Sequence, residues 1–523
     1  MPRSLVLRCV RLASLVWACS FFGVLPTGVL ASEFEVLPYL QNPAADAMTV
    51  VWFTAKELPG TLEVATPDGP VRLTSQPELA ETLQDNPWKP EFEPARERTL
   101  YRHRVRVTGL TPGTRYGYKV SQQEEIFEGA LQTTPAANSP VRLIFYSDSE
   151  TEPESSTTPP VDWPAPPGAK RPEGRTRYLV DQTEGYRRNL AEIERREPHL
   201  VSIVGDLVET GGEQRDWDEF WRHNAGEYGR LASRVPLIAA LGNHENYAGA
   251  GGGYTAKGAN FATAKYLTYF EFPNNGAERR EHVGRYYRLD YGPVTVLCLD
   301  SSDGGKHQTE QDTNFNLSGS LAPDYNPGSE QYQWLERELP AARKRSRFVF
   351  VQFHHTMFGS GPHSVPLGHK NFSGQSGRAM RVLLPLLLKH GVDAVFSGHD
   401  ELWERSEASG ERLLPDGSKR PHTIHFYDVG AGGDGLRGPM EGHENPGRKF
   451  LAHQDAPEVW EGLRLVSGGK HYGHLEVNVA PGEDGRWRAE LLPVYVFPVT
   501  DSEGRVTGWE RRQYDDVVIL PAQ

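Results

Sequence analysis

Val235-Pro-Leu-Ile-Ala-Ala-Leu-Gly-Asn-His-Glu245 is an apolar run that stops on a glycine and then offers three side chains competent to hold a metal. A short continuous apolar run bounded by turn signals reads as a buried strand. In open α/β sheets, ligands sit beyond the carboxyl ends of such strands. Four other runs end in the same manner. Val141 to Tyr146 leads into Ser147-Asp148-Ser149-Glu150, Leu200 to Val204 into Gly205-Asp206, Phe348 to Phe353 into His354-His355, and Val392 to Phe396 into Gly398-His399-Asp400-Glu401. One strand-end Asp is more often a helix cap or turn residue than a ligand. Five such endings in order predict a shared rim, where buried carboxylates are costly unless cations neutralise them. Because strand side chains alternate, Asp148 and Glu150 are expected on one face, as are His399 and Glu401, each pair gripping one ion. Glycine before Asp206, Asn243 and His399 allows a sharp turn and a close approach.

Helical patterns separate these runs, at about Tyr178 to Arg196, near Asp216 to His223, from Ser329, and from Met380 to His390. Strands alternating with helices predict an α/β domain, here over residues 140–500. Residues 33–136 differ: short β-type runs such as Ala47 to Phe53, Gly60 to Val64, Tyr101 to Val107 and Arg115 to Val120 are divided by Gly, Pro and Asp. That pattern predicts an all-β sandwich, and Leu110-Thr-Pro-Gly-Thr-Arg-Tyr116 resembles the turn before a late strand of fibronectin type III domains. Sequence after Tyr472 returns to β-type alternation at the edge of the α/β domain, with 501–523 as a C-terminal tail. Two segments, 151–177 and 304–328, exceed the roughly 12–15 residues of an ordinary loop. Each follows a strand end and reads either as a lid or specificity loop or as a disordered insertion.

Residues 1–31 carry Arg3, Arg8 and Arg11 ahead of an apolar stretch ending in Val29-Leu30-Ala31, the pattern of a cleaved secretory signal. The expected mature protein is therefore secreted or periplasmic, with no membrane span after cleavage. The alternative is an uncleaved anchor, since the apolar run approaches spanning length, although Ser20, Pro26, Thr27 and two glycines dilute it. That segment holds three Arg and no acid, so its removal takes the formal charge from −13 to −16. A negative field of that size opposes nucleic-acid binding. Two of the three Cys lie in the leader, which leaves Cys298 alone and reads as a small buried hydrophobe.

The ordered set resembles the calcineurin-like metallophosphoesterases. Within that superfamily, the preceding β-sandwich, Gly242-Asn-His-Glu245, Val351-Gln-Phe-His354, Gly398-His-Asp-Glu-Leu-Trp-Glu-Arg405 and Gly430-Ala-Gly-Gly433 resemble purple acid phosphatases. The implied fold is a four-layer αββα sandwich behind the fibronectin-like domain. The resemblance implies two metal ions bridged by Asp206, with Asp148 on the first and Asn243, His354 and His399 on the second. It also implies that His244 and His363 act on substrate and leaving group. Three positions depart from the family pattern. Glu150 and Glu401 stand where relatives have His, and Glu209 replaces the Tyr whose bond to ferric iron gives the purple colour. The first ion is thus expected among carboxylates, Asp148, Asp206 and Glu401 with Glu150 or Glu209, and the protein should not be purple. An all-oxygen site favours Mg²⁺, Ca²⁺, Mn²⁺ or ferric iron, whereas the Asn, His, His set suits Zn²⁺, Fe²⁺ or Mn²⁺.

Taken together, these readings predict an exported enzyme that hydrolyses small phosphomonoesters by attack of a metal-bound hydroxide. A phosphodiesterase or nucleotidase of the same superfamily is the nearest alternative. A non-catalytic binding protein with a degenerate site is the more distant one. His355 has no implied role beyond support or packing.

Overall fold

Val141–Tyr146 shows how the layers of the molecule arise. Leu143 and Phe145 point into a core shared with a second sheet, whereas Ile144 and Tyr146 point into a separate core shared with helices. The same alternation holds in Phe348–His355, where Phe348 and Phe350 face inward and Val349, Val351 and Phe353 face outward. Strands buried on both faces need helices on the outside, and the computed structural model shows that arrangement. It describes residues 32–88, 98–153, 171–175, 178–249, 251–433, 438–452 and 458–522. The leader read in residues 1–31 and most of the 151–177 loop lie outside the described residues.

The first large sheet runs Leu237–Ala239, Leu200–Ile203, Val141–Tyr146, Tyr472–Pro481, Trp487–Thr500, Val506–Gln513, with Val518–Pro521 also paired to Trp487–Thr500. The second runs Tyr287–Tyr291, Val294–Cys298, Phe348–His355, Ala394–Gly398, Lys419–Val429, Trp403–Leu413, Arg448–Ala452. Parallel pairing joins the first three strands of one sheet, and Val294–Cys298 through Lys419–Val429 in the other. Helices Gln182–Arg195 and Gln214–Asn224 cover the first sheet; Glu330–Arg345 and Leu384–Lys389 cover the second. The layers are α, β, β and α. Asp181 caps the first of these helices, its Oδ1 accepting from Glu184 N at 2.7 Å, and Ser329 caps the third. Cys298 is buried, its Sγ 3.7 Å from the Ala239 carbonyl, and burial pushes the thiol up to about 12.

Ahead of these layers, two four-stranded sheets form the expected all-β domain, closed on Leu40, Val50, Trp52, Leu62, Val107, Tyr118 and Val120. Val36, Tyr39, Val51 and Phe53 leave that core and pack instead among Trp217, Phe220, Trp221 and Tyr269 of the α/β domain. Polar contacts fix the orientation: Tyr39 OH donates to the Tyr269 carbonyl at 2.6 Å, Tyr118 OH to the Ser233 carbonyl at 2.8 Å, and Gln41 Nε2 to the Leu237 carbonyl at 3.1 Å.

Four details differ from the sequence reading. Tyr472–Pro481 lies inside its sheet, directly against Val141–Tyr146, and not at an edge. The supposed tail 501–523 supplies two further strands, Val506–Gln513 and Val518–Pro521. The single helix expected over Met380–His390 is a 3-10 turn, Gly377–Leu383, followed by a short α-helix. Pro385 accounts for the break, since proline fits the first turn of a helix but not its interior. Helix Ala256–Tyr269 was not foreseen, because the small residues Gly258, Ala259 and Ala262 on its buried face give little hydrophobic contrast.

The 304–328 segment is packed rather than loose. It carries a 3-10 turn, Phe315–Leu317, and Ser376 N donates to the Thr313 carbonyl at 2.7 Å. Among the described residues, no helix is long and apolar enough to cross a membrane.

Candidate metal centre

All five strand endings meet on one rim, and the backbone there is unusual. Asp148, Glu150, Asp206, His399 and Glu401 have φ of 58°, 36°, 49°, 76° and 50°. A non-glycine residue in this left-handed region costs about 1–3 kcal/mol, and such residues cluster at functional sites. This geometry overturns the expected alternation. The strands end at Tyr146 and Gly398, so Asp148 and Glu150, or His399 and Glu401, are not paired on one face by strand pleat. Asp148 instead receives His399 N on both carboxylate oxygens, at 3.1 and 3.2 Å. Glu150 turns toward Asp206 and His244.

Three glycines permit the approach. A Cβ on Gly205 would lie 2.5 Å from His354 Nδ1, on Gly242 2.1 Å from Asp206 Oδ1, and on Gly398 2.2 Å from Asp148 Oδ2. No side chain fits at those distances.

Two groups of ligand atoms result, each with its members within 4.8 Å of one another: Asp206, His354 and His399, and Glu150, Asp206 and His244. Asp206 belongs to both. Its Oδ2 lies 2.8 Å from His354 Nε2, while its Oδ1 accepts from His244 N at 2.8 Å. Asn243 joins the first group, with Oδ1 3.0 Å from His354 Nε2 and Nδ2 donating to Tyr254 OH at 3.1 Å. Asp148 and Glu401 are buried beside these groups but are not members of them. Glu209, the family's Tyr position, is 40% exposed at its side chain, 4.0 Å from His244 Nδ1.

His244 and His363 hold the flanks. The His244 Nδ1–H donates to the Glu209 carbonyl at 2.6 Å, which leaves Nε2 facing Glu150 Oε1 at 3.7 Å. His363 sits on the turn Pro362–Ser364, its Nδ1 3.2 Å from Ser373 Oγ and its ring 4.1 Å from that of His399.

Whether cations fit here can be tested on His354. Its Nδ1 is committed to the Val204 carbonyl at 2.9 Å, so the remaining nitrogen, Nε2, faces two acceptors, Asp206 Oδ2 and Asn243 Oδ1. A neutral imidazole would present a lone pair to two other lone pairs. The arrangement calls for a positive charge among those three atoms, and the donors are those of a metal site. Electrostatics agree. Burial opposes protonation of His354, yet Asp206 and Asp148 carry its pKa up to about 9. Burial, with Asp206 adding, pushes Asp148 up to about 7. Asp206 is held well below the usual carboxylate range: burial would raise it, but His354 and His244 prevail. For His244, burial is outweighed by Asp206 and Glu209, and its pKa is raised.

Some functional neighbours were hidden in the sequence. Glu245, read as one of three metal-competent residues, turns away from the ligand groups. Its carboxylate accepts from Gly242 N at 2.7 Å, Asp206 N at 3.0 Å and Leu207 N at 2.7 Å. It ties two of the strand endings together. Asp400 is likewise a fastener: it receives His363 N at 2.7 Å, Gly361 N at 3.2 Å and the Ser364 hydroxyl. His355 bonds Ser301 Oγ through Nδ1 at 2.8 Å and packs its ring 4.4 Å from that of His399. Motif position alone marks Glu245 and Asp400 as polar residues at a strand end and does not show which way they turn.

Residues 36–137 match the purple acid phosphatase N-terminal domain, and residues 179–400 match the calcineurin-like phosphoesterase family. The chain carries a calcineurin-like metallophosphoesterase domain behind a purple acid phosphatase N-terminal domain. The chain is 29% identical over 309 residues to an uncharacterised Mycobacterium tuberculosis protein, covering 57% of this chain and 50% of the relative. Arabidopsis thaliana relatives, each 24% identical, include purple acid phosphatase 21, with 58% of this chain and 53% of the relative covered. They also include probable inactive purple acid phosphatase 27, with 63% and 49% covered. The chain spans about half the length of the curated relatives it matches.

In fold, it resembles purple acid phosphatase PPD1 from yellow lupin seeds, with TM-score 0.57, 18% identity, and 91% of this chain and 74% of that one covered. It also resembles PhoD, with TM-score 0.54, 16% identity, and 94% and 93% covered.

Proposed function

We propose that this chain hydrolyses phosphate monoesters at a centre of two metal ions bridged by Asp206. The observation that carries the reading is the sharing of Asp206 between two ligand groups, with one carboxylate oxygen on the His354 side and the other beside His244. Asn243, His354 and His399 hold one ion. Glu150, with Asp148 and Glu401 beside it, holds the other, an oxygen-rich half suited to Ca²⁺, Mg²⁺, Mn²⁺ or ferric iron. When bound, the ions supply positive charge to the phosphoryl oxygens and activate water for in-line displacement.

The chain's own residues do the rest. His244 presents Nε2 to the site because its Nδ1–H is committed to the Glu209 carbonyl, and Asp206 and Glu209 favour the charged ring, in which Nε2 also carries a proton. That proton is placed for the leaving oxygen. His363 approaches from the opposite flank, where Asp400 fixes the backbone of its turn and Ser373 orients its ring. Buried walls around Asp206 and His354 strengthen each of these interactions.

The basic-then-apolar pattern of residues 1–31 supports export; N-terminal sequencing of protein recovered outside the cytoplasm checks it. Activity is tested with an aryl phosphate and a bis-aryl phosphate, with Mn²⁺, Zn²⁺, Ca²⁺ and iron added separately. Turnover of the monoester that is lost in Asp206→Asn is expected. Faster turnover of the diester would reassign the substrate class, and no turnover of either ester with any metal would leave the binding-protein alternative.

A further inference from the structure

The loop that follows strand Val294–Cys298 holds a second, separate set of buried acids. Asp303 is 1% exposed and Asp312 is 4% exposed. Each uses one carboxylate oxygen locally: Asp303 Oδ1 accepts from Gly305 N at 2.8 Å, and Asp312 Oδ2 from Thr309 N at 3.2 Å. The other oxygens, Asp303 Oδ2 and Asp312 Oδ1, are buried and receive no donor from any other residue; the two carboxyl groups bond each other. Asn326 is equally enclosed. Its Nδ2 donates to Asp324 Oδ1 at 2.9 Å and the Gln311 carbonyl at 3.0 Å, while its Oδ1 is buried without a partner. Tyr325, fully buried, bridges the same parts of the loop through its hydroxyl to the Gln311 carbonyl at 2.7 Å.

Unpaired buried carboxylates are among the costliest arrangements a protein can hold. The charges acting most strongly on Asp303 are Asp324 and Asp312, which, after burial itself, drive its pKa up to about 8. A cation at these three oxygens would take the place of the shared proton that otherwise joins Asp303 to Asp312.

We propose that Asp303, Asp312 and Asn326 bind a calcium ion that closes this loop, at a site built from none of the residues around Asp206. The donors are all oxygen, which disfavours Zn²⁺ and Cu²⁺. Calcium takes six to eight oxygens in flexible geometry and accepts main-chain carbonyls and water for the remainder. Closure matters for the nearby chemistry. Thr313 donates to the Ser301 carbonyl, Ser301 bonds His355, and Asp312 lines a cavity of about 360 Å³ together with Phe372, Arg378 and Val382. The ion would thus set the position of one wall of that cavity.

Full-length protein stripped with chelator and titrated with Tb³⁺ tests the site, because Tyr325 lies close enough to sensitise terbium emission. We expect tyrosine-sensitised emission that Ca²⁺ displaces, together with a calcium-dependent rise in Tm. Asp303→Asn and Asp312→Asn should each weaken Ca²⁺ binding at least tenfold and remove that rise. In chelator above pH 8, where both carboxyls are ionised, either substitution should also raise Tm, because it removes one of two facing buried charges. Tyr325→Phe should lose most of the emission while keeping the calcium-dependent rise, a control that does not depend on the stability of the Asp variants. No calcium-dependent rise in the wild type, the same rise in the Asp variants, or unchanged emission in Tyr325→Phe would overturn the proposal.

Discussion

At the scale of single residues, the centre depends as much on fasteners as on ligands. Glu245 accepts three backbone N–H groups from two strand endings. Glu245→Gln turns an acceptor into a donor facing other donors, so we expect a loss of about 1–3 kcal/mol, read from urea unfolding. His244 is assigned to the leaving group. Its replacement by Asn should cost about 10²–10⁴-fold in turnover of an alkyl phosphate, and much less for a nitrophenyl ester, whose leaving oxygen needs no proton. Equal losses on both esters would reassign His244 to structure.

Much of this was readable from residue type. Asp206, Asn243, His354 and His399 each have metal-competent side chains and, apart from His354, follow a glycine at a strand end. Glu245 follows the same rule and does something else, because two of the three backbone N–H groups that claim its carboxylate, those of Asp206 and Leu207, lie 39 and 38 residues away in sequence.

At the scale of elements, the strand ends carry the burden. Sequence alternation predicts the sheets well, since apolar runs of this length have few other uses. It fails one residue beyond them, where Asp148 and His399 leave the strand with positive φ. The pleat no longer governs there, and the partners of Asp148 are fixed by packing against Gly398 and Gly430. Gly398→Ala would drive a Cβ to 2.2 Å from both Asp148 Oδ2 and Ser147 Oγ. Asp148 must then move, and we expect loss of metal and of activity while the far-UV circular dichroism is retained. The 304–328 segment was open between lid and disorder in sequence. Its order depends on hydrogen bonds to residues 374–376, contacts that no local pattern announces.

At the scale of the whole molecule, the β-sandwich and the α/β domain share a core. Tyr39 and Phe53 of the sandwich pack on Trp217, Trp221 and Tyr269. Each large aromatic side chain uncovered there forfeits about 1.5–3 kcal/mol, so residues 137–523 expressed alone should aggregate; a soluble fragment with the parent Tm would refute the shared core.

Acid should destabilise the chain through His474. It is buried, its Nδ1 bonded to Asn189 Oδ1 at 2.7 Å, and burial pushes its pKa down to about 3. The unfolded chain takes up the proton near pH 6.5, while the folded chain refuses it until about pH 3. The contribution is therefore complete above pH 6.5 and lost on acidification, by about 1.4 kcal/mol per pH unit. His474→Gln should flatten the pH dependence of the urea midpoint across that window. An unchanged slope would place the acid sensitivity elsewhere.

The central claim is that Asp206 bridges two ions. Electron paramagnetic resonance of the Mn²⁺-loaded protein measures this directly, because two ions joined by one carboxylate are magnetically coupled. The account predicts a coupled-pair signal in the wild type that Asp206→Asn converts to isolated Mn²⁺. A wild-type spectrum of isolated ions alone, or a coupled signal that survives Asp206→Asn, would contradict it.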